Sequence, residues 1–158
     1  MISFNDKINQ IPKGEFKMTQ ASTPSPSDCN VKIVIYIDTA KARTGSTQGV
    51  YMVDNRAPKS YNEGTACLDT YCNTNDYICW RILPIDPDTH DSVAITSFDQ
   101  SLAWGYGGQP KASDNTNTVW VGRAENAGSN QTPINIIITE SYKNPVTLKI
   151  NPVLNVNG

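Results

Sequence analysis

The clearest regularity in the chain is an alternation of apolar and polar side chains with a period of two, the repeat of a strand that buries one face. It opens at Val31, where Val31, Ile33, Ile35 and Ile37 interleave with Lys32, Val34, Tyr36 and Asp38. The same signal predicts a strand over 49–53, ended by Asp54, Asn55 and Pro58, and a short one around 65–68. A strand over 77–84 places Ile78, Trp80 and Ile82 on one face and Cys79, Arg81 and Leu83 on the other, the pattern of a central strand. Further strands are predicted at 93–98, 118–123, 133–139 and 146–156. Pro152 lies inside the last of these and predicts an edge position or a bulge, because proline cannot donate to a ladder. No window combines helical apolar spacing with caps, so no helix is predicted.

About eight short strands separated by turn residues predict an all-β chain, closed as an antiparallel β-sandwich of jelly-roll type over residues 31–158. Residues 1–30 end in QASTPSPSDCN, whose Pro, Ser and Thr cannot join a sheet, and are expected to form a flexible leader.

Composition sharpens this picture. A chain of 158 residues has the length of one domain, which can close a core without a metal or a disulfide. Lys+Arg (13) and Asp+Glu (15) nearly cancel and are scattered, so neither nucleic acid nor membrane insertion is expected. The start, MISFNDKINQIPKGEFK, lacks the apolar stretch of a secretory signal, and a cytoplasmic setting is expected. Cysteines stand at 29, 67, 72 and 79 beside a single histidine, His90; C-x4-C-x6-C fits none of the usual zinc spacings. Four free, largely buried thiols are the simplest reading, with Cys67–Cys72 the bridge to expect under oxidising conditions.

The order of the strand motifs resembles the PixA/AidA family of bacterial inclusion-body and quorum-responsive proteins. The residues that carry it are VKIVIYIDT (31–39), GVYMVDNR (49–56), GTACL (64–68), NDYICWRILPID (75–86) and the terminal KINPVLNV (149–156). Asn75 departs from the pattern by standing where a turn glycine is expected before Asp76, and three methionines are too few for a methionine store. The resemblance implies a β-sandwich with no recognised catalytic site, abundant expression and a tendency to self-associate.

Catalytic signatures are missing from the sequence: there is no G-x-S-x-G elbow, H-E-x-x-H, phosphate-binding loop or dinucleotide glycine fingerprint. His90 sits between Asp88 and Asp91 in a run with the composition of an exposed turn, and no enzyme is expected. Asp86, Asp88 and Asp91 could supply carboxylate oxygens to Ca²⁺, although the same residues beside Pro87 are what a β-turn selects. The most suggestive segment is Asp99-Gln-Ser-Leu-Ala-Trp-Gly-Tyr-Gly-Gly108, which sets Trp104 and Tyr106 among glycines. Asp99, Gln100, Trp104 and Tyr106 form a candidate sugar platform, in which aromatic faces stack on ring C–H groups and polar neighbours bond hydroxyls. Against this, Trp104 could be a core residue and Tyr106 a packing lid, and the core reading of Trp104 stands slightly ahead; Trp80 and Trp120, inside alternating strands, read as core anchors. Two functions follow. The first is a self-associating, inclusion-forming homo-oligomer that assembles through strand edges such as 134–139. The alternative is a glycan-binding, lectin-like module, with Ca²⁺ as its one candidate cofactor.

Overall fold

The computed structural model describes residues 24–158. Eleven strands follow one another: β1 (Val31–Ile37), β2 (Val50–Asp54), β3 (Asp69–Asn73), β4 (Tyr77–Pro84), β5 (Ser92–Phe98), β6 (Lys111–Ala112), β7 (Val119–Arg123), β8 (Gly128–Gln131), β9 (Ile134–Thr139), β10 (Val146–Ile150) and β11 (Val153–Asn157). The one α-helical element, α1 (Thr39–Ala42), is a single turn capped by the Asp38 carboxylate, which accepts from the Lys41 amide at 3.2 Å. No described helix is long and apolar enough to cross a membrane.

The strands make three sheets, ordered β2-β1-β4-β7-β6, β10-β9-β5 and β3-β11-β8. Their apolar faces meet in one core cluster that draws on all three, from Ile35 and Trp80 through Ile95 and Ile136 to Leu154. Period-two burial explains why: in β1 residues 31, 33, 35 and 37 are buried and in β9 residues 134, 136 and 138, each contributing about 1.5–3 kcal/mol on leaving water. Strand β5 keeps its core face by a bulge. Val93 and Ile95 are buried, the pairing slips between Ile95 and Ser97, and Phe98 rather than Ser97 turns inward. There Phe98 meets Trp80 of β4 at 4.7 Å between centroids and Trp120 of β7 at 5.4 Å. Trp80 and Trp120 are thus the core anchors that alternation predicts.

The chain is all-β, but its pairing corrects the expected antiparallel arrangement. β1 runs parallel to β4, and β11 parallel to β3. Residues 65–68 make only a bridge at Thr65 to Met52; the strand lies just beyond, as β3, whose polar DTYCN does not announce it. Residues 146–156 form two strands, since Asn151-Pro152 breaks the run and passes β11 into another sheet. The segment 134–139, expected to offer an edge for assembly, is the middle strand of its sheet; β10 and β5 are the edges.

Most of the expected leader lies outside the described residues. Its last part is fastened to the domain: Pro26–Asp28 forms a 3-10 turn, and Cys29 is bridged to Cys79 of β4 with Cα atoms 5.8 Å apart, beside Val121 and Tyr77. This overturns both the reading of four free thiols and the Cys67–Cys72 bridge. Cys67 is exposed, whereas Cys72 lies in the core, where burial pushes its thiol up to about 12. Asn75 adopts φ +72°, the left-handed conformation a turn glycine would supply and asparagine tolerates.

Candidate functional site

The loop between β5 and β6 is built on a buried tryptophan. Ser101 caps a 3-10 turn over Leu102–Trp104 by accepting from the Ala103 amide, and Trp104 enters the core edge-on to Trp80, with centroids 5.6 Å apart. At 1% exposure Trp104 has no face to offer a ligand, which settles that residue as core. The next residue turns the chain outward: Gly105 has φ +56°, a conformation costly for any side chain. Gly108 then returns it against β7. A Cβ there would collide with the Arg123 carbonyl oxygen and stand 2.5 Å from that of Trp104. Leu102 (76% exposed) and Tyr106 (109%) are left in solvent.

Glu125, 17% exposed, locks this outward turn. Its carboxylate accepts from the Tyr106 amide at 3.0 Å and the Gly107 amide at 3.3 Å, and pairs with the Arg123 guanidinium. Its own amide donates to the Ala103 carbonyl at 2.8 Å, while the Asn126 side chain donates to that of Leu102 at 2.6 Å. The Arg123 hydrogen bond, helped by the Gly107 amide, holds the Glu125 carboxyl below the ordinary glutamate value. Nothing in the motif around 99–108 points to Glu125, which comes from beyond β7; its signal was only an acidic residue close after a strand.

Two grooves flank the loop. One, of about 360 Å³, runs past Gln100, Ser101, Leu102, Gly105 and Asn126. The other, of about 270 Å³, is lined by Tyr77, Gln109, Lys111 and Arg123. Of the sequence candidates, Gln100 lines the first groove, and Tyr106 stands between Gly105 and Gly107, which line one groove each. Asp99 is drawn away to the β9–β10 side, where its carboxylate accepts from Lys149 Nζ and Asn135 Nδ2, each at 2.7 Å; the Lys149 hydrogen bond, then that of Asn135, holds it below the usual carboxylate range.

A larger cleft, of about 810 Å³, opens at the other end of β4, between residues 81–84, the start of β5 and the 114–119 loop. Arg81 lies in it with no carboxylate within ion-pair distance among the described residues, whereas Arg123 pairs with Glu125. Asp114 in its wall is turned inward on its own loop. Burial raises its carboxyl, but hydrogen bonds from Thr118, Thr116 and the Val119 and Thr118 amides together outweigh this and hold it low.

The calcium candidates do not converge. Asp86 accepts from the Asp88 amide at 2.9 Å, closing the turn; Asp91 accepts from the Thr39 hydroxyl at 2.7 Å; the Asp88 side chain is exposed. No group of three or more His, Cys, Asp or Glu side chains among the described residues is placed to hold a metal ion. His90 is an exposed turn residue.

Comparison with known proteins gives a family and a fold. Residues 29–144 match the family model described as Domain of unknown function (DUF8788). No curated protein matches. Among solved structures, the crystal structure of the inclusion body protein PixA from Burkholderia cenocepacia J2315 is similar, with a TM-score of 0.61 and 14% identity over 80% of this chain and 94% of that one. The resemblance read from the strand motifs is thereby met at the level of fold.

Proposed function

The chain belongs to the family described as Domain of unknown function (DUF8788), and we propose that in it the PixA-like fold serves as a non-enzymatic, self-associating protein of inclusion-body type. The observation that carries this reading is the pair Leu102 and Tyr106. Exposed apolar side chains on mobile loops can fold back onto the surface, but these two are held in water by a backbone locked through Glu125, Asn126 and Gly108. A rigid apolar projection is covered only by a partner, and because its conformation is already set, association loses little ordering entropy. The outer edge of β10 supports the same reading, since no described main-chain group bonds to it. Size-exclusion chromatography with light scattering tests the proposal: mass should rise with concentration above the 17.3 kDa of one chain, and a constant monomer mass would refute it.

A second reading, glycan binding, is favoured by one feature: the fully exposed side chain of Tyr106, whose chain neighbour Gly107 lines the groove with Tyr77 and Gln109. A glycan array run with and without Ca²⁺ tests it. Binding should disappear in Tyr106→Ala without loss of fold, and an array blank in both conditions removes the reading.

The Cys29–Cys79 bridge bears on the setting. A disulfide closing a 50-residue separation persists where thiols are not kept reduced, which pulls against the cytoplasmic expectation. Alkylation under denaturing conditions of protein taken directly from cells should label Cys67 and Cys72 and leave Cys29 and Cys79 unlabelled; labelling of all four would return the chain to a reducing compartment.

A further inference from the structure

The exposed loop and the cleft of about 810 Å³ lie at opposite ends of the same strands. β4 begins at Tyr77, beside the loop, and ends at Pro84 in the cleft; β7 runs the other way, from Val119 in the cleft to Arg123 beneath the loop. β5 likewise starts in the cleft at Ser92 and delivers the chain to the loop after Phe98. The seven-residue rise along β4 separates the two features by roughly 20 Å, at about 3.3 Å per residue. One end is convex and apolar, with Leu102 and Tyr106. The other is concave, and Leu83, Pro84, Ala94 and Val119 stand half-buried in its wall with no layer over them among the described residues.

Resting on the self-association reading, we propose that the Leu102/Tyr106 loop of one copy docks into the β4–β5 cleft of the next, a head-to-tail contact. Size, polarity and charge agree. A cleft of about 810 Å³ is in the range that accepts a large side chain and its neighbours. The half-buried apolar residues match the two apolar side chains, and Asp91 at the rim keeps one carboxylate oxygen free of protein partners, within the chemistry of a phenol donor. The cleft end carries Asp86, Asp88, Asp91 and Asp114 against Arg81, whereas Lys111, with no carboxylate partner among the described residues, lies in the groove beside the loop. A contact between two different patches is heterologous. With donor and acceptor at opposite ends of one axis it does not close on itself, so copies add in a row without limit. Open-ended addition is what forms an inclusion from a folded protein.

The test uses two variants of the full chain. Leu102→Asp with Tyr106→Asp removes the projection and leaves the cleft; Ala94→Arg fills the cleft and leaves the loop, with Leu83→Lys as a second cleft variant should the first fail to fold by circular dichroism. Wild type should grow in mass with concentration and show no plateau at two copies. Each variant alone should associate at least about tenfold more weakly. Mixed, they should form a 1:1 complex of two chains and stop there, because only one good loop and one good cleft remain. The inference is overturned if wild type plateaus as a dimer, if either class of variant assembles as wild type does, or if the mixture forms no 1:1 complex. In those cases self-association through another surface, such as the β10 edge, still stands. A wild type that stays monomeric at every concentration removes both.

Discussion

The 99–108 loop and the 86–91 turn sit at the two ends of β5, and each is rich in residues that read from sequence as ligand contacts. They differ in where their hydrogen bonds come from. In the turn most partners are local: the Asp86 carboxylate meets the amide two residues on and the Asp91 amide donates to Thr89 Oγ1, and only the Asp91 carboxylate reaches out, to the Thr39 hydroxyl. Such bonds shape a turn and leave its carboxylates pointing their separate ways. In the loop the partner is distant along the chain, since Glu125 stands 19 and 18 residues beyond Tyr106 and Gly107, whose amides it accepts from. That carboxylate gathers a backbone instead of a ligand and fixes what the loop presents. Acidic residues that look equivalent in a sequence thus divide by the reach of their hydrogen bonds.

The largest effect expected of this contrast lies in the loop's buried foundation. Trp104→Ala empties a site packed against Trp80 and Phe98 and should cost about 3–5 kcal/mol in urea unfolding. Tyr106→Ala, two residues on, should change stability by less than about 0.5 kcal/mol, as for any exposed side chain. Equal effects would mean that the loop is not divided into an anchor and a projection.

Gly108→Ala comes next. Its Cβ meets main-chain oxygens on both sides, neither of which is a flexible side-chain end, so the loop or β7 must shift. A loss of about 1–3 kcal/mol is expected, of the order found when a packed interior is overfilled. Gly64→Ala is the control that separates space from conformation: φ there is +79°, but nothing lies within 4 Å, and only the strain of a left-handed alanine, about 1 kcal/mol, should register.

Much of the frame was legible because burial of one sheet face forces a period of two. β1 and β9 follow it residue by residue, and β4 departs from it at Cys79, which is buried on the other face with its partner Cys29. What escaped has no such signature. β8 is Gly-Ser-Asn-Gln with no buried residue, at the edge of its sheet beside β11, and β3 hides its two buried positions, Thr70 and Cys72, among polar neighbours. Strand direction is equally silent, since parallel and antiparallel neighbours of β1 bury the same isoleucines. For the site, aromatic and glycine content pointed to the loop and placed the core reading of Trp104 only slightly ahead, and the part of Glu125 could not be read, because both are decided by residues far along the chain.

The lock itself can be opened by acid. The folded Glu125 carboxyl is held below the ordinary value of 4.5, so its contribution is fully present above that value and is lost as pH falls through the depressed one. The protection factors at Tyr106 and Gly107, with the intrinsic exchange rate at each pH divided out, should therefore fall about tenfold as the carboxylate is protonated, the order expected for losing one hydrogen bond each. Glu125→Gln should show the low protection already at neutral pH and no further loss of it on acidification. Protection that persists in Glu125→Gln would show that Asn126 and Gly108 suffice to hold the loop.

The smallest effect belongs to the turn, and there the comparison is sharpest. Asp88→Ala removes an exposed side chain that holds nothing in place, and stability should move by less than about 0.5 kcal/mol. Asp91→Ala should cost more, about 1 kcal/mol, because its partner Thr39 lies across the chain in α1 and is itself largely buried. The melting temperature should then be the same with Ca²⁺ and with a chelator in wild type and both variants. A rise with Ca²⁺ that Asp88→Ala abolishes would mean that the three carboxylates converge around an ion after all. The distinction between a turn that shapes itself and a loop shaped from afar would then fail at its simpler end.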